Sequence, residues 1–167
     1  YALSKIAGES ACMNYFNLYE LPAVIVRFHN IYGPRMGFSH VIPELMRKAK
    51  KSAVSLEVYS PSHTRAFCYI SDAVKAITLL IKSKKALGRI FNIGNDREEL
   101  AMASLGRKII DMVNPGLKIR YLGNLPGSPT RRCPDITRIR KTVGFNPQVP
   151  LNKGLELTWQ WYRKHLK

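Results

Sequence analysis

Apolar and polar positions change period repeatedly along this 167-residue chain, and each change marks an element. Residues 1–20 place apolar or small side chains at Leu3, Ile6, Ala7, Ala11, Met13, Phe16 and Leu18. That spacing predicts a helix, and Pro22 ends it. The next run, "AVIVRFHNIYG", sets Val24, Ile25 and Val26 side by side. Consecutive β-branched residues predict a strand that is apolar on both faces, as in a buried parallel sheet. "GPRMG" closes it as a loop. Residues 41–51 read as a helix with Pro43 in its first turn. "VSLEVYS" alternates as a short strand, "SPSHTR" is a polar loop, and "AFCYI" is a further short strand. Ser71 or Asp72 is placed to cap a helix whose apolar stripe is Val74, Ile77, Leu80 and Ile81.

"RIFNIG" predicts another buried strand, residues 98–113 a helix, and "LKIRYL" a strand. "GNLPGSPTRRCPD" is a loop rich in proline and glycine, and residues 135–143 form a short helix broken at Gly144. From Leu151 onward, Leu155, Trp159, Tyr162 and Leu166 share one helical face, an aromatic stripe expected in a core. Strands alternate with helices and nothing repeats, which predicts an α/β fold.

Charge sharpens this picture. Lys and Arg number 27 against 11 Asp and Glu, a formal net charge of +16. Such a chain attracts polyanions, either nucleic acid or phosphorylated small molecules. The basic residues are spread in short groups, such as Arg47, Lys48, Lys50 and Lys51, and no zinc-finger, basic-zipper or RNP pattern accompanies them. That makes nucleic acid the weaker expectation and leaves many lysines as solvated helix faces. Cys12, Cys68 and Cys133 show no CxxC spacing, and the four histidines show no HxxxH or HExxH spacing. No disulfide framework and no metal site are expected. No apolar run is long enough for a bilayer, so no membrane association is expected. No signal segment directs the chain out of the cytoplasm, although residues ahead of Tyr1 would have been able to carry one.

The chain opens on "YALSK". On a helix Tyr1 and Lys5 lie one turn apart on one face. A phenol has a pKa near ~10, and an adjacent ammonium favours its phenolate. A pair of this kind exchanges a proton with a sugar hydroxyl near neutral pH. Tyrosine and lysine are common, so the spacing alone is weak.

The order YALSK, "RFHNIYGP", "TRAFCYISDAV", "FNIGN", "RRCPDI" and "GFNP" resembles the extended short-chain dehydrogenases/reductases of the nucleotide-sugar epimerase/dehydratase family. The resemblance runs over nearly the whole chain. It implies the C-terminal part of a Rossmann-like parallel sheet plus a small α/β substrate-binding domain. Residues 1–34 would be the remnant of the NAD-binding domain. Residues 35–167 would be mainly substrate-binding, with a strand near 89–94 returning to the Rossmann sheet.

By the same resemblance Tyr1 is the catalytic acid/base, and Lys5 is its electrostatic partner and ribose ligand. Phe28 and His29 lie where the strand end passes the nicotinamide, although the family usually has an aromatic such as phenylalanine where His29 stands. Asn30, Arg65 and Arg132 are the diphosphate ligands of a nucleotide sugar, with Arg131 the alternative register to Arg132. Read by itself, Asn30 is a turn residue. Leu56 and Val58 lie where the family lines its base pocket, or equally form the core face of a strand.

Two departures stand out. Tyr59-Ser60-Pro61-Ser62 replaces the family's glycine-containing VYGxG turn, so another loop shape is expected. No glycine-rich dinucleotide turn occurs anywhere. The NAD site is therefore expected to be incomplete and the chain inactive alone. The activity implied is an NAD-dependent epimerase or dehydratase, a homodimer when full length. The alternatives are a nucleotide-glucuronate decarboxylase of the same family, or a non-catalytic basic partner or nucleic-acid-binding module.

Overall fold

The computed structural model describes residues 1–166. Its elements are α1 (Ala2–Tyr19), β1 (Val24–Phe28), β2 (Ile31–Tyr32), α2 (Val41–Lys51), β3 (Ser55–Tyr59), β4 (Thr64–Ala66), β5 (Cys68–Tyr69) and α3 (Ile70–Ile81). A short 3-10 turn follows, then β6 (Arg89–Ile93), β7 (Glu99–Ala101), α4 (Met102–Val113), β8 (Lys118–Leu122), β9 (Arg131–Arg132), α5 (Thr137–Val143) and α6 (Leu151–His165).

Three parallel pairs join segments distant in sequence: β1 with β6, β2 with β5, and β3 with β8. Parallel pairing needs a crossover, and α3 lies between β1 and β6 in the chain. Two cores result. In one, Ala73, Ala76 and Leu80 of α3 meet Phe91 and Ile93 of β6, with Ile139 of α5 and Phe145 beneath. In the other, α2, α4 and α6 enclose Leu56 and Val58 of β3. The α2 helix buries Ile42, Leu45, Met46 and Ala49, one face at helical spacing.

The polar stretch expected as a loop over "SPSHTR" ends in a strand. Thr64–Ala66 is the centre of a three-stranded sheet, antiparallel to β7 and parallel to β9. Periodicity alone puts its two partners elsewhere: Glu99–Ala101 in the helix that begins only at Met102, and Arg131–Arg132 in a loop. Strands of two or three residues carry too few alternations to show a period. The run "AVIVRFHNIYG" also breaks, because Asn30 turns into the left-handed region at φ 44°. "AFCYI" likewise gives only Cys68–Tyr69 before helix α3 starts.

Asp72 is not the cap expected of it. Tyr69 holds the N-cap position of α3 without a side-chain bond. The Asp72 carboxylate is buried and accepts hydrogen bonds from the backbone N–H of Gln148 (3.0 Å) and Val149 (2.9 Å). It therefore ties the start of α3 to the segment leading into α6. On α6 itself Leu155 and Tyr162 are buried, Leu166 just beyond its end is buried too, and Trp159 sits at the core's edge.

Helix α1 contrasts with the rest. It has no buried residue, and Leu3, Ile6, Leu18 and Tyr19 are exposed. It is joined to β1 by the Glu9 carboxylate, which takes a fork of hydrogen bonds from Arg27 at 2.7 and 2.5 Å and is held below the usual carboxylate pKa by them. Phe16 of α1 also rests over Gly88, where a left-handed φ of 66° and the ring's proximity leave no room for a Cβ. Among the described residues β1 pairs on one edge only.

Candidate active site

A cleft of about 1010 Å³ runs past the ends of β1, β3 and β4, with the N-terminus of α2 and the 125–129 loop as walls. Tyr1, Phe28, Asn30, Arg65 and Arg132 all line it.

The two arginines are brought together by sheet register. Arg65 on β4 is the parallel partner of Arg132 on β9. In-register neighbours project to the same face. Strand alternation then sends Arg131 to the opposite face, where it forks onto the Glu99 carboxylate at 2.9 and 2.7 Å. The register left open by the "RR" pair is thereby resolved: Arg132 faces the cleft and Arg131 does not. Arg65 is held from behind, its Nη1 donating to Thr64 O (2.7 Å) and its Nη2 to Ser128 Oγ (2.9 Å). Desolvation, and then the charge of Arg132, lower the Arg65 pKa from its ordinary value, yet a guanidinium stays protonated at neutral pH. Neither Arg65 nor Arg132 has a carboxylate partner among the described residues. Two adjacent uncompensated guanidiniums repel, and an anion with several oxygens between them relieves that repulsion.

Asn30 is the turn residue it reads as by itself. It turns the chain at φ 44°, and its Nδ2 donates to Ala66 O at 2.8 Å, while its backbone carbonyl accepts from Cys68 N–H at 3.2 Å. This stitches the end of β1 to β4 and β5. One amide hydrogen of Asn30 remains for a cleft ligand.

At one end of the cleft the Tyr1 ring is almost wholly exposed (95%), and the Lys5 ammonium lies 5.3 Å from its centroid. The i,i+4 pair therefore meets across one helical turn, with Phe28 exposed on the same cleft. His29 is not brought to the cleft wall. The next residue on a strand points to the other face, and His29 is half-buried there, its backbone N–H bonded to Ile93 O (2.9 Å) and its Cβ close over Gly94.

Burial lowers the His29 pKa from its ordinary value, with a hydrogen bond that the ring donates to the Asn92 side chain opposing it and the Arg132 and Arg27 charges adding to it. The unfolded chain therefore binds a proton at His29 that the folded chain refuses. Stability on this account is full above the ordinary value and falls as pH drops through it. Exchanging His29 for phenylalanine is expected to remove that loss. In thermal melts between about pH 7.5 and about pH 5.5, the variant's melting temperature should gain on the parent's as pH falls. A constant difference across the range would rule out the buried neutral imidazole.

Leu56 is expected at the cleft or in the core, and it is in the core, 1% exposed. Val58 is equally buried but also borders the cleft, as do Glu57 and Tyr59. Glu57 is a cleft residue that the sequence motifs do not single out. The alternating pattern of "SLEVY" was the available signal.

Ser60 replaces a family glycine yet takes a glycine-like conformation, φ 49°. It is buried, and its Oγ accepts from the Leu125 N–H at 3.0 Å while its own N–H donates to Gly123 O at 3.2 Å. The side chain thus anchors the loop that forms the far wall of the cleft. Ser60→Ala keeps the left-handed strain and loses the bond, and is expected to cost about 1–1.5 kcal/mol. Ser60→Gly loses the same bond but relieves strain of about 1 kcal/mol, leaving stability nearly unchanged. Denaturant titration of both variants checks the ordering; equal losses would remove the strain argument.

Among the described residues no three His, Cys, Asp or Glu side chains gather as a metal site, and no helix is long and apolar enough to cross a membrane.

Comparison with known proteins follows the same lines. The model of the NAD dependent epimerase/dehydratase family matches residues 1–94. The chain is 34% identical to the UDP-N-acetyl-alpha-D-glucosaminuronate decarboxylase of Bacillus cytotoxicus, covering 98% of this chain and 53% of that protein. It is 32% identical to UDP-glucuronic acid decarboxylase 5 of Arabidopsis thaliana, covering 99% and 48%. Among solved structures, the epimerase Mth375 of Methanothermobacter thermautotrophicus superimposes with a TM-score of 0.91 at 26% identity, over 99% of this chain and 50% of that one. DesIV, the dTDP-glucose 4,6-dehydratase of Streptomyces venezuelae solved with NAD and TYD bound, gives 0.86 at 27% identity, over 98% and 51%. The chain spans about half the length of the curated relatives it matches. The family match covers more than half of the sequence, and with the Rossmann-type α/β fold it shares with these structures, the chain belongs to the NAD dependent epimerase/dehydratase family.

Proposed function

We propose that this chain carries the proton-transfer pair and the diphosphate site of an NAD-dependent nucleotide-sugar epimerase or dehydratase. One observation carries the reading: Arg65 and Arg132 stand side by side, unpaired by any described carboxylate, in the same cleft as Tyr1 and Phe28. A diphosphate bridges the arginines by charge-assisted bonds, with Asn30 adding its free N–H. The attached sugar then extends toward Tyr1. Tyr1 takes the proton of the sugar hydroxyl, usually the one on C4, and the Lys5 ammonium stabilises the phenolate. Tyr1 would give that proton back to the oxygen as hydride returned to the carbonyl carbon: return to the opposite face would give the epimer, and prior loss of a neighbouring group the dehydrated sugar.

An exposed phenol, an ammonium and an aromatic face fit the nicotinamide and ribose of a dinucleotide, so Tyr1, Lys5 and Phe28 would hold that end of NAD. No glycine-rich turn among the described residues is assigned to its pyrophosphate. The group supplies the hydride acceptor when bound.

Residues 1–34, together with β6, form the portion belonging to the dinucleotide-binding sheet, and the remainder forms the substrate domain. The exposed apolar face of α1 supports burial of that helix, in part against a second copy in a homodimer. A need for NAD and nucleotide sugars supports a cytoplasmic location, where those pools lie.

A second reading, nucleotide-glucuronate decarboxylase, is favoured by the names of the two relatives above 30% identity described here. Incubating the protein with NAD and a panel of neutral and uronic nucleotide sugars, with products read by NMR, separates the two. An inverted or 4-keto sugar supports the first reading and carbon dioxide release the second. No conversion and no binding of any nucleotide sugar would sink both.

A further inference from the structure

Where the cleft meets a smaller cavity of about 470 Å³, Lys48 and Glu57 border both. Glu57 sits at the middle of β3, directly opposite Arg120 of β8 in the parallel register. Arg120 Nη1 donates to Glu57 Oε1 at 3.2 Å, and Oε2 receives no donor among the described residues. Lys48 pairs with Glu44 one turn earlier on α2, at 2.5 Å. This end of the cleft therefore offers a carboxylate held by Arg120 and, lining the same space, the Lys48 ammonium on a flexible stem. Given a diphosphate between Arg65 and Arg132 and a sugar directed at Tyr1, the remaining part of the ligand, its base, falls here. That placement rests on the function proposed above.

We infer that this end selects guanine. The Glu57 carboxylate accepts from N1–H and N2–H, and the Lys48 ammonium donates to O6. A carboxylate is two acceptors side by side. Guanine alone among the bases presents two adjacent N–H donors on its pairing edge. Adenine and cytosine present one amino group beside a ring acceptor, so one carboxylate oxygen is left facing a lone pair. Uracil and thymine present a single N–H between two carbonyl oxygens, which the carboxylate repels. The relatives described above are named for UDP and dTDP sugars, so the Glu57–Arg120 pair would mark a change of nucleotide on a shared fold.

Calorimetric titration of the protein with GDP, ADP, UDP and dTDP tests this directly. GDP is expected to bind tightest, about 10- to 100-fold over UDP and dTDP. Glu57→Gln should lose about tenfold or more of the GDP affinity, because the amide turns an N–H toward guanine's own donors, and should leave UDP within about threefold. Arg120→Gln, which keeps the carboxylate but frees its orientation, should fall between. Thermal melts confirm that both variants fold, as expected for half-exposed side chains. Equal affinity for all four diphosphates, or a preference for another base, would overturn guanine selection while leaving the diphosphate site standing. A GDP preference unchanged in Glu57→Gln would overturn the role of Glu57. No binding of any diphosphate would overturn both this inference and the function it rests on.

Discussion

In the full-length enzyme, Tyr1→Phe is expected to lower hydride transfer from a bound nucleotide sugar to NAD by about 10²- to 10⁴-fold, while nucleotide-sugar affinity stays within about threefold. The expectation follows from what the substitution removes. The ring stays, with its contact to the Lys5 ammonium at 5.3 Å and its place on the cleft. The phenolic oxygen goes, and with it the proton acceptor. No described hydrogen bond depends on that oxygen and the ring is exposed, so stability should change by no more than about 0.5 kcal/mol.

Lys5→Met gives the companion measurement. Without the ammonium beside the ring, hydride transfer should fall by about tenfold or more, while nucleotide-sugar affinity stays within about threefold. Single-turnover NADH fluorescence reads both. Retained NADH formation in Tyr1→Phe would remove the proton-transfer role. An unchanged rate in Lys5→Met would remove Lys5 from the proton-transfer pair.

The pattern that makes Tyr1 and Lys5 legible is local, and so are the other elements that sequence reading recovered. Helix α2 was bounded at Val41 and Lys51 from its single apolar face, and β1, β3, β6 and β8 from β-branched runs or alternation. What sequence reading missed depends on partners. β4, β7 and β9 are too short for a period and exist because they pair with one another. Asp72 looked like a cap because its helix starts beside it, but its bonds go to Gln148 and Val149, far along the chain. The same division runs through the candidate site. Asn30, Arg65 and Arg132 are all legible from motifs, and the strand register adds the reason that Arg132 and not Arg131 faces the cleft. His29 adjoins the cleft residue Phe28 yet is half-buried beside Gly94, and Leu56 lies in the core although Val58, on the same strand face, borders the cleft. Ser60 shows the converse. A motif glycine is missing, yet the left-handed turn forms, with a side-chain hydrogen bond offsetting its strain.

Removing the cleft arginines should have opposite effects on binding and on the free protein. Arg65→Ala is expected to weaken nucleotide-diphosphate binding by about 10²-fold, since two charge-assisted bonds are lost. Arg65→Lys should recover part of this, because charge remains but the planar fork does not. Arg65 also holds Ser128 and the carbonyl of Thr64, so its loss loosens the cleft loop and lowers the melting temperature.

Arg132 differs. It is exposed and makes no described hydrogen bond, and its charge opposes that of Arg65 across the strand pair. Arg132→Gln should therefore weaken diphosphate binding by about tenfold while slightly raising the melting temperature of the ligand-free protein. The two positions contact one ligand, so the double variant should lose less than the sum of the singles. Titration calorimetry with a nucleoside diphosphate and melts without it make up the full cycle. If Arg132→Gln lowers the ligand-free melting temperature, the two guanidiniums are not in conflict, and the case for an anion between them falls with that result.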